Sequence, residues 1–180
     1  CVIPLEFLPK EINLEEELAL YSSNDEEIDE ILKGLKIKRM IHKEIKELSS
    51  KEFILYQLAV ALIKKPKILL VDSIYSYFPE KDLMEILSFL KEYQKKKKMT
   101  VFYIARNLKE SLYADYLYIM DDKKISQKGK TLEVLEKDNV INKIGLDLPF
   151  MMDLSVKLKD YDLLKKIELE KDGMVDLLWK

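Results

Sequence analysis

Asp72 closes the run Lys67-Ile68-Leu69-Leu70-Val71-Asp72-Ser73, and Pro66 stands just before it. A short apolar run of this kind, bounded by proline, predicts a strand buried on both faces. In an open α/β sheet, ligands bind beyond the carboxyl ends of the strands. A carboxylate at such an end can hold a cation, commonly Mg²⁺ beside a nucleotide phosphate. It can equally cap the strand or open a turn, and the run alone does not separate the two uses. A second group is Ser49-Ser50-Lys51-Glu52. Serine followed three residues later by glutamate fits a capping box at the start of a helix. His42, the single histidine, sits in a charged segment with no Cys or His nearby, so the expectation is a surface residue and no metal ligand.

The elements that must position these residues follow from hydrophobic spacing. Residues 53–62 leave almost no polar face, which predicts a long, largely buried helix running to about Lys64. The central strand comes next. Leu83, Ile86, Leu87, Leu90 and Tyr93 recur at helical spacing, so residues 81–97 form a second helix, and the Lys95–Lys98 run is its solvated end rather than a phosphate-binding patch. Residues 99–104 read as a second buried strand. Asn107 caps a helix to about Ala114, and residues 116–120 and 125–127 flank a hairpin turn at 121–124. A short helix at 131–136, a linker with Gly145 and Pro149, a segment at 150–159 and a partly helical end complete the chain. Before Ser49 lie an irregular stretch with Pro4 and Pro9, a helix at 15–21, a helix at 26–35 ending near Gly34, and a helix or helix-plus-turn at 37–46. The sum is an α/β core with a helical segment at about 15–47.

Composition narrows the function classes. The chain has 180 residues, 48% hydrophobic and 36% charged, with net charge −2. That supports one domain with a real core and gives no bulk attraction for nucleic acid. Its one cysteine, Cys1, permits no internal disulfide and points to a reducing compartment. The longest apolar runs are far too short to span a bilayer, and no signal peptide opens the chain. Only four glycines occur, and no G-x-x-x-x-G-K-[ST] phosphate cradle is among them.

The order of parts resembles the ATP-binding subunit of ABC transporters. Leu48-Ser49-Ser50-Lys51-Glu52, then Lys65 to Asp72, then Val101-Phe102-Tyr103-Ile104-Ala105-Arg106-Asn107 match that family's signature, Walker B and switch segments at its spacing. Residues 115–125 resemble its late strand and hairpin. Ile144-Gly145-Leu146-Asp147-Leu148-Pro149-Phe150 resembles the segment after the core in the energy-coupling factor branch, which takes up cobalt or vitamins.

The resemblance implies a partial P-loop NTPase-type parallel sheet with a helical subdomain at about 15–47, a nucleotide-binding domain over 1–145 and a C-terminal helical extension over 146–180. It implies ATP and Mg²⁺ as cofactors. It also implies a second ABC ATPase subunit as homo- or heterodimer partner, a transmembrane coupling subunit, and a peripheral place on the cytoplasmic face of the membrane. It implies no nucleic acid. Residues 161–180 would mediate dimer contacts. Asp72 takes the metal position, and Ser49 and Ser50 take the nucleotide-contacting positions. Ser73 and Arg106 stand where the family has its catalytic Glu and His.

The departures carry chemistry. The family signature is Leu-Ser-Gly-Gly-Gln, and here side chains replace both glycines, obstructing close backbone approach to phosphate. Glu52 adds negative charge there, which Lys51 would offset in part. Serine cannot act as a general base at neutral pH, and arginine offers no acceptor for a water proton. The aspartate after Walker B is Pro79, and the nucleotide-sensing glutamine is replaced by Ile3 or Lys10. Walker A in the family lies before Cys1, so the expectation is a chain cut short at its start or one that never had that motif. Losing both the Glu and His equivalents should remove most turnover, since such help is worth about 10²–10⁴-fold. The expectation is a degenerate ATP-binding subunit beside an active one. A working ATPase with unusual motifs, a scaffold or regulatory module that uses no nucleotide, and a nucleic-acid repair-type ATPase relative are the rivals. The last fits poorly with the net charge and the 145–149 segment.

Overall fold

The computed structural model describes residues 2–3 and 13–179, with the side chains of Val2 and Ile3 left aside. Cys1, Pro4, Pro9 and Lys10, which figured in the sequence reading, lie outside the described residues, and Ile3 is described in its backbone only. The chain divides into two compact units, residues 1–106 and residues 107–180.

The first unit is built on a three-stranded parallel sheet in the order β1 (Val2–Ile3), β2 (Ile68–Val71), β3 (Thr100–Tyr103). Leu70 registers with Val2 on one side and Phe102 on the other. Parallel strands need crossover helices, and here they are α3 (Ser50–Ile63) and α4 (Glu80–Lys97). In α3 every residue from 54 to 63 is buried, as its lack of a polar face requires. It ends where Lys65 turns to positive φ ahead of Pro66.

The segment before α3 is helical as expected. It comprises α1 (Leu14–Ala19), α2 (Asp25–Gly34) and two 3₁₀ turns, Lys38–Met40 and Ile45–Glu47, where a helix or a helix plus turn was anticipated. Asn13 and Asn24 cap the two helices by accepting from the N–H groups of Glu16 and Glu27. α2 ends at Gly34 as expected, and Gly34 is also a contact point. A Cβ there would stand 2.1 Å from the Phe89 ring of α4, so only glycine lets the two helices approach. Glu27, buried on α2, is held by Lys65 and Lys97 at the ends of α3 and α4. Burial pushes its carboxyl up, but hydrogen bonds and charge from the two lysines outweigh this and leave it below its ordinary value.

The central strand departs from expectation on one point. Its inner face, Leu69 and Val71, is fully buried, but Ile68 and Leu70 on the other face are 52% and 39% exposed. Phe102 and Ile104 continue that open face at 53% and 56%. The apolar run is real, yet it is covered on one side only. Apolar content in a sequence reports what a strand would bury, not whether a neighbour is there to cover it.

The second unit starts with α5 (Leu108–Ser111), capped by Asn107, and the antiparallel pair β4 (Tyr116–Asp121) and β5 (Lys124–Lys130). Asp122 and Lys123, both at positive φ, make the two-residue turn that suits a hairpin's twist. Four helices follow: α6 (Thr131–Leu135), α7 (Asp138–Lys143), α8 (Phe150–Asp160) and α9 (Lys171–Leu178). The Thr131 hydroxyl, at the start of α6, donates to the carbonyl of Ala114 at 2.7 Å. Ile119, Val134, Leu135, Ile141, Met152 and Val156 form this unit's core. Residues 138–143, read as linker, are helical because Ile141 supplies a fully buried anchor. No described helix is long and apolar enough to cross a membrane.

Candidate functional site

Two places in the first unit hold the residues singled out from the sequence. One is the N-terminus of α3 and the other is the loops leaving β2 and β3.

At the α3 start the capping box forms in full. Glu52 donates its N–H to the Ser49 hydroxyl at 3.3 Å, and its carboxylate accepts from the Ser49 N–H at 3.0 Å and the Ser49 hydroxyl at 2.8 Å. Lys43 adds an ion pair at 2.7 Å. The Lys43 ammonium first, then the Ser49 backbone and hydroxyl, hold the Glu52 carboxyl down at about 2. A fixed carboxylate therefore sits at the positive end of the helix, where an anionic ligand would gain from the dipole. Lys51 does not offset it. Its ammonium pairs with Asp82, lies 5.7 Å from the centre of the Phe78 ring, and holds the Asp82 carboxyl below its ordinary value. Ser50 is the first residue of α3 and Ser49 its cap. The glycine-free sequence thus folds into a helix start that satisfies itself.

At the strand ends the arrangement is open. Asp72 directly follows β2 and is exposed. Ser73 adopts a left-handed conformation, φ 52°, ψ 30°, uncommon for a residue with a side chain and costing on the order of 1 kcal/mol. Its hydroxyl donates to Asp72 Oδ1 at 2.7 Å. A 3₁₀ turn, Ile74–Tyr77, follows, and the Ser76 hydroxyl closes it by donating to the Ser73 carbonyl at 3.0 Å. α3 packs against this turn, which connects the two places. On the neighbouring strand, the Ile104 N–H donates to the Val71 carbonyl at 3.0 Å, extending the ladder beyond β3. Arg106 follows, with its guanidinium carbon 5.4 Å from the centre of the Tyr75 ring.

The structure thus brings Asp72 and Ser73 into direct contact and sets Arg106 on the adjacent strand end. Ser49 and Ser50 stand at a different element's end, with their chemistry turned to Glu52. Sequence reasoning missed Tyr75, because no local pattern reports a contact between two loops. His42 is exposed and pairs with Glu15 at 2.7 Å.

The donor set decides what a metal would ask for. Among the described residues no group of three or more His, Cys, Asp or Glu side chains could hold a metal ion. Mg²⁺ commonly takes only one or two carboxylates and completes its shell with phosphate and water. Asp72 fits as one such ligand for Mg²⁺ carried by a nucleotide, and not as a site for the bare ion. A surface hollow of about 580 Å³ lies elsewhere, against the end of α4 and beside Glu27, Glu30, Lys96 and Lys97. There Lys96 pairs with Glu30 and Lys97 with Glu27.

No family model matches the chain. It is 28% identical over 124 residues to the energy-coupling factor transporter ATP-binding protein EcfA1 of Lactobacillus delbrueckii subsp. bulgaricus, covering 68% of this chain and 44% of that protein. It is 28% identical over 155 residues to the EcfA1 of Bacillus licheniformis, covering 86% and 55%. The chain spans about half the length of the curated relatives it matches. Among solved structures, CbiO1 of Clostridium perfringens, described as part of the ABC transporter complex CbiONQ, superposes with a TM-score of 0.58 at 23% identity, covering 79% of this chain and 60% of that one. The bacterial ABC transporter cassette MJ0796, solved as a dimer, gives 0.56 at 18% identity over 70% and 59%. The chain is a relative of the energy-coupling factor transporter ATP-binding proteins and carries the fold of the ABC ATPase cassette.

Proposed function

We propose that this chain serves as the ATP-binding subunit of an energy-coupling factor ABC transporter, as the degenerate partner of an active ATPase. It would act in uptake of a vitamin or metal ion, peripheral to the cytoplasmic face of the membrane through a transmembrane coupling subunit. The observation that carries this reading is the pair at the end of β2. Asp72 is present where the metal ligand belongs, and the next residue, where the base belongs, is a serine whose hydroxyl donates to that same carboxylate.

The mechanism follows from these side chains. Bound Mg²⁺ would supply charge neutralisation between nucleotide phosphates, with Asp72 as its protein ligand. Ser73 holds its proton at neutral pH and directs it at Asp72 Oδ1, so it orients the carboxylate and cannot take a proton from water. Arg106 stays charged and can donate to phosphate oxygens but accepts nothing. The strand ends can hold a nucleoside triphosphate without activating the attacking water. Hydrolysis that drives transport would then occur at a composite site whose base comes from the partner subunit.

The deciding experiment purifies the chain with an intact ATPase partner and measures Mg-ATP turnover. The expectation is turnover that survives Asp72→Ala in this chain and disappears when the partner's own base is removed. Robust turnover by this chain alone would refute the degenerate-subunit reading. One observation favours a second reading, a scaffold or regulatory module that uses no nucleotide. The carboxylate of Glu52 occupies the helix end at which ATP phosphate would arrive. Calorimetry with ATP, with and without Mg²⁺, separates the two.

A further inference from the structure

The end of β2 holds two groups whose relation bears on how a cation could be taken. Ser73 donates its hydroxyl to Asp72 Oδ1 at 2.7 Å, and Oδ2 carries no such bond among the described residues. The backbone around the serine is held. Ser73 is left-handed, the Ser76 hydroxyl donates to its carbonyl at 3.0 Å, and Ile74, the next residue, is fully buried. A hydrogen bond to a charged oxygen is stronger than a neutral one and draws on that oxygen's charge. The two oxygens of Asp72 are therefore unequal: Oδ1 is engaged, and Oδ2 keeps its full acceptor strength. Ca²⁺ takes a carboxylate through one oxygen or both, whereas Mg²⁺ is smaller, demands octahedral geometry and keeps several waters. A carboxylate with one oxygen engaged serves binding through the other without loss and disfavours binding through both.

We propose that Ser73 is a specificity-determining residue for the cation carried by a nucleoside triphosphate, its hydroxyl on Asp72 Oδ1 favouring Mg²⁺ over Ca²⁺ at the end of β2. The inference rests on the nucleotide-subunit reading above and deepens it. It gives the residue at the base position a task that needs no proton transfer. Ser73 keeps its proton, directs it at one carboxylate oxygen and leaves the other to the cation.

The test is calorimetry of the full chain with ATP, in Mg²⁺ and in Ca²⁺, read as the ratio of the two affinities. The parent should prefer Mg-ATP. Ser73→Ala should reduce that preference about three- to tenfold, the scale of one net hydrogen bond, chiefly by tightening Ca-ATP. Ser73→Gly also lacks the hydroxyl but suits the left-handed backbone, so it guards against a folding defect and should give the same ratio as Ala. A second readout is the infrared carboxylate stretch of Asp72, taken as the difference from Asp72→Asn. With Ca-ATP it should report coordination through one oxygen in the parent and through both in Ser73→Ala. If the parent binds Mg-ATP but shows no preference over Ca-ATP, or keeps the same ratio in Ala and Gly, the role of Ser73 is refuted and the functional reading stands. A ratio that changes in only one of the two variants assigns the effect to the backbone and refutes the hydroxyl's part. If the parent binds ATP with neither cation, the functional reading falls and this inference falls with it.

Discussion

The start of α3 and the ends of β2 and β3 handle their polar groups in opposite ways. At the helix start the donors are consumed internally. Glu52 takes the Ser49 N–H and hydroxyl, and Lys51 turns to Asp82. At the strand ends, Asp72 stays exposed and Arg106 is retained on an aromatic ring. The difference is one of engagement. The carboxylate of Glu52 is taken up by Ser49 and Lys43, while that of Asp72 accepts from the Ser73 hydroxyl and stays exposed. One place satisfies its own donors and the other leaves its carboxylate exposed, and both lie within one unit.

The largest expected effect falls on both places at once. Leu69 is fully buried in β2, and Leu69→Ala should cost about 2–5 kcal/mol in urea denaturation. Loss of both sites together would follow. Next, Asp72→Asn should remove the Mg²⁺ dependence of nucleotide binding and weaken Mg-ATP by about tenfold or more, read by calorimetry, since charged hydrogen-bonding partners contribute about 1.5–3 kcal/mol. Glu52→Gln tests the other side of the contrast. It should lower stability at pH 7 by about 1 kcal/mol through the weakened cap and lost charge, while raising affinity for sulfate or phosphate at the α3 start.

The sign of its pH dependence follows from the held-down carboxyl. The contribution of Glu52 is complete above its unfolded value of 4.5 and is lost as pH falls toward about 2. Melting curves of the parent and Glu52→Gln should therefore converge over that window. If they stay parallel down to pH 2, the capping carboxylate is not what holds the helix end. The smallest effect is expected at Lys51. Lys51→Met removes an exposed ion pair with Asp82 and should shift stability by less than about 1 kcal/mol.

How much of this was legible depended on sequence distance. The Ser49–Glu52 box is a relation between residues three apart, and it was read correctly down to the cap. The unbroken apolar face of α3 likewise announced its burial. Asp72 at a strand end was visible because the apolar run and the residue after it are contiguous. The left-handed Ser73 was not, since serine carries no signal for positive φ of the kind glycine or asparagine would give. Gly34 was legible as the end of α2, but its close approach to Phe89, 55 positions away, was not. Tyr75 and Arg106 meet only because β2 and β3 pair in parallel, a tertiary fact that no window of residues contains. The open face of β2 failed for a related reason, because coverage is a property of neighbours.

That open face sets how the isolated chain will behave in the laboratory. Ile68, Leu70, Phe102 and Ile104 put oily pleats in contact with water. Light scattering should report self-association that rises with protein concentration and worsens in ammonium sulfate, a salt that strengthens apolar contact. Replacing Phe102 with Lys should improve solubility while leaving the melting temperature nearly unchanged, since that side chain is already half in solvent.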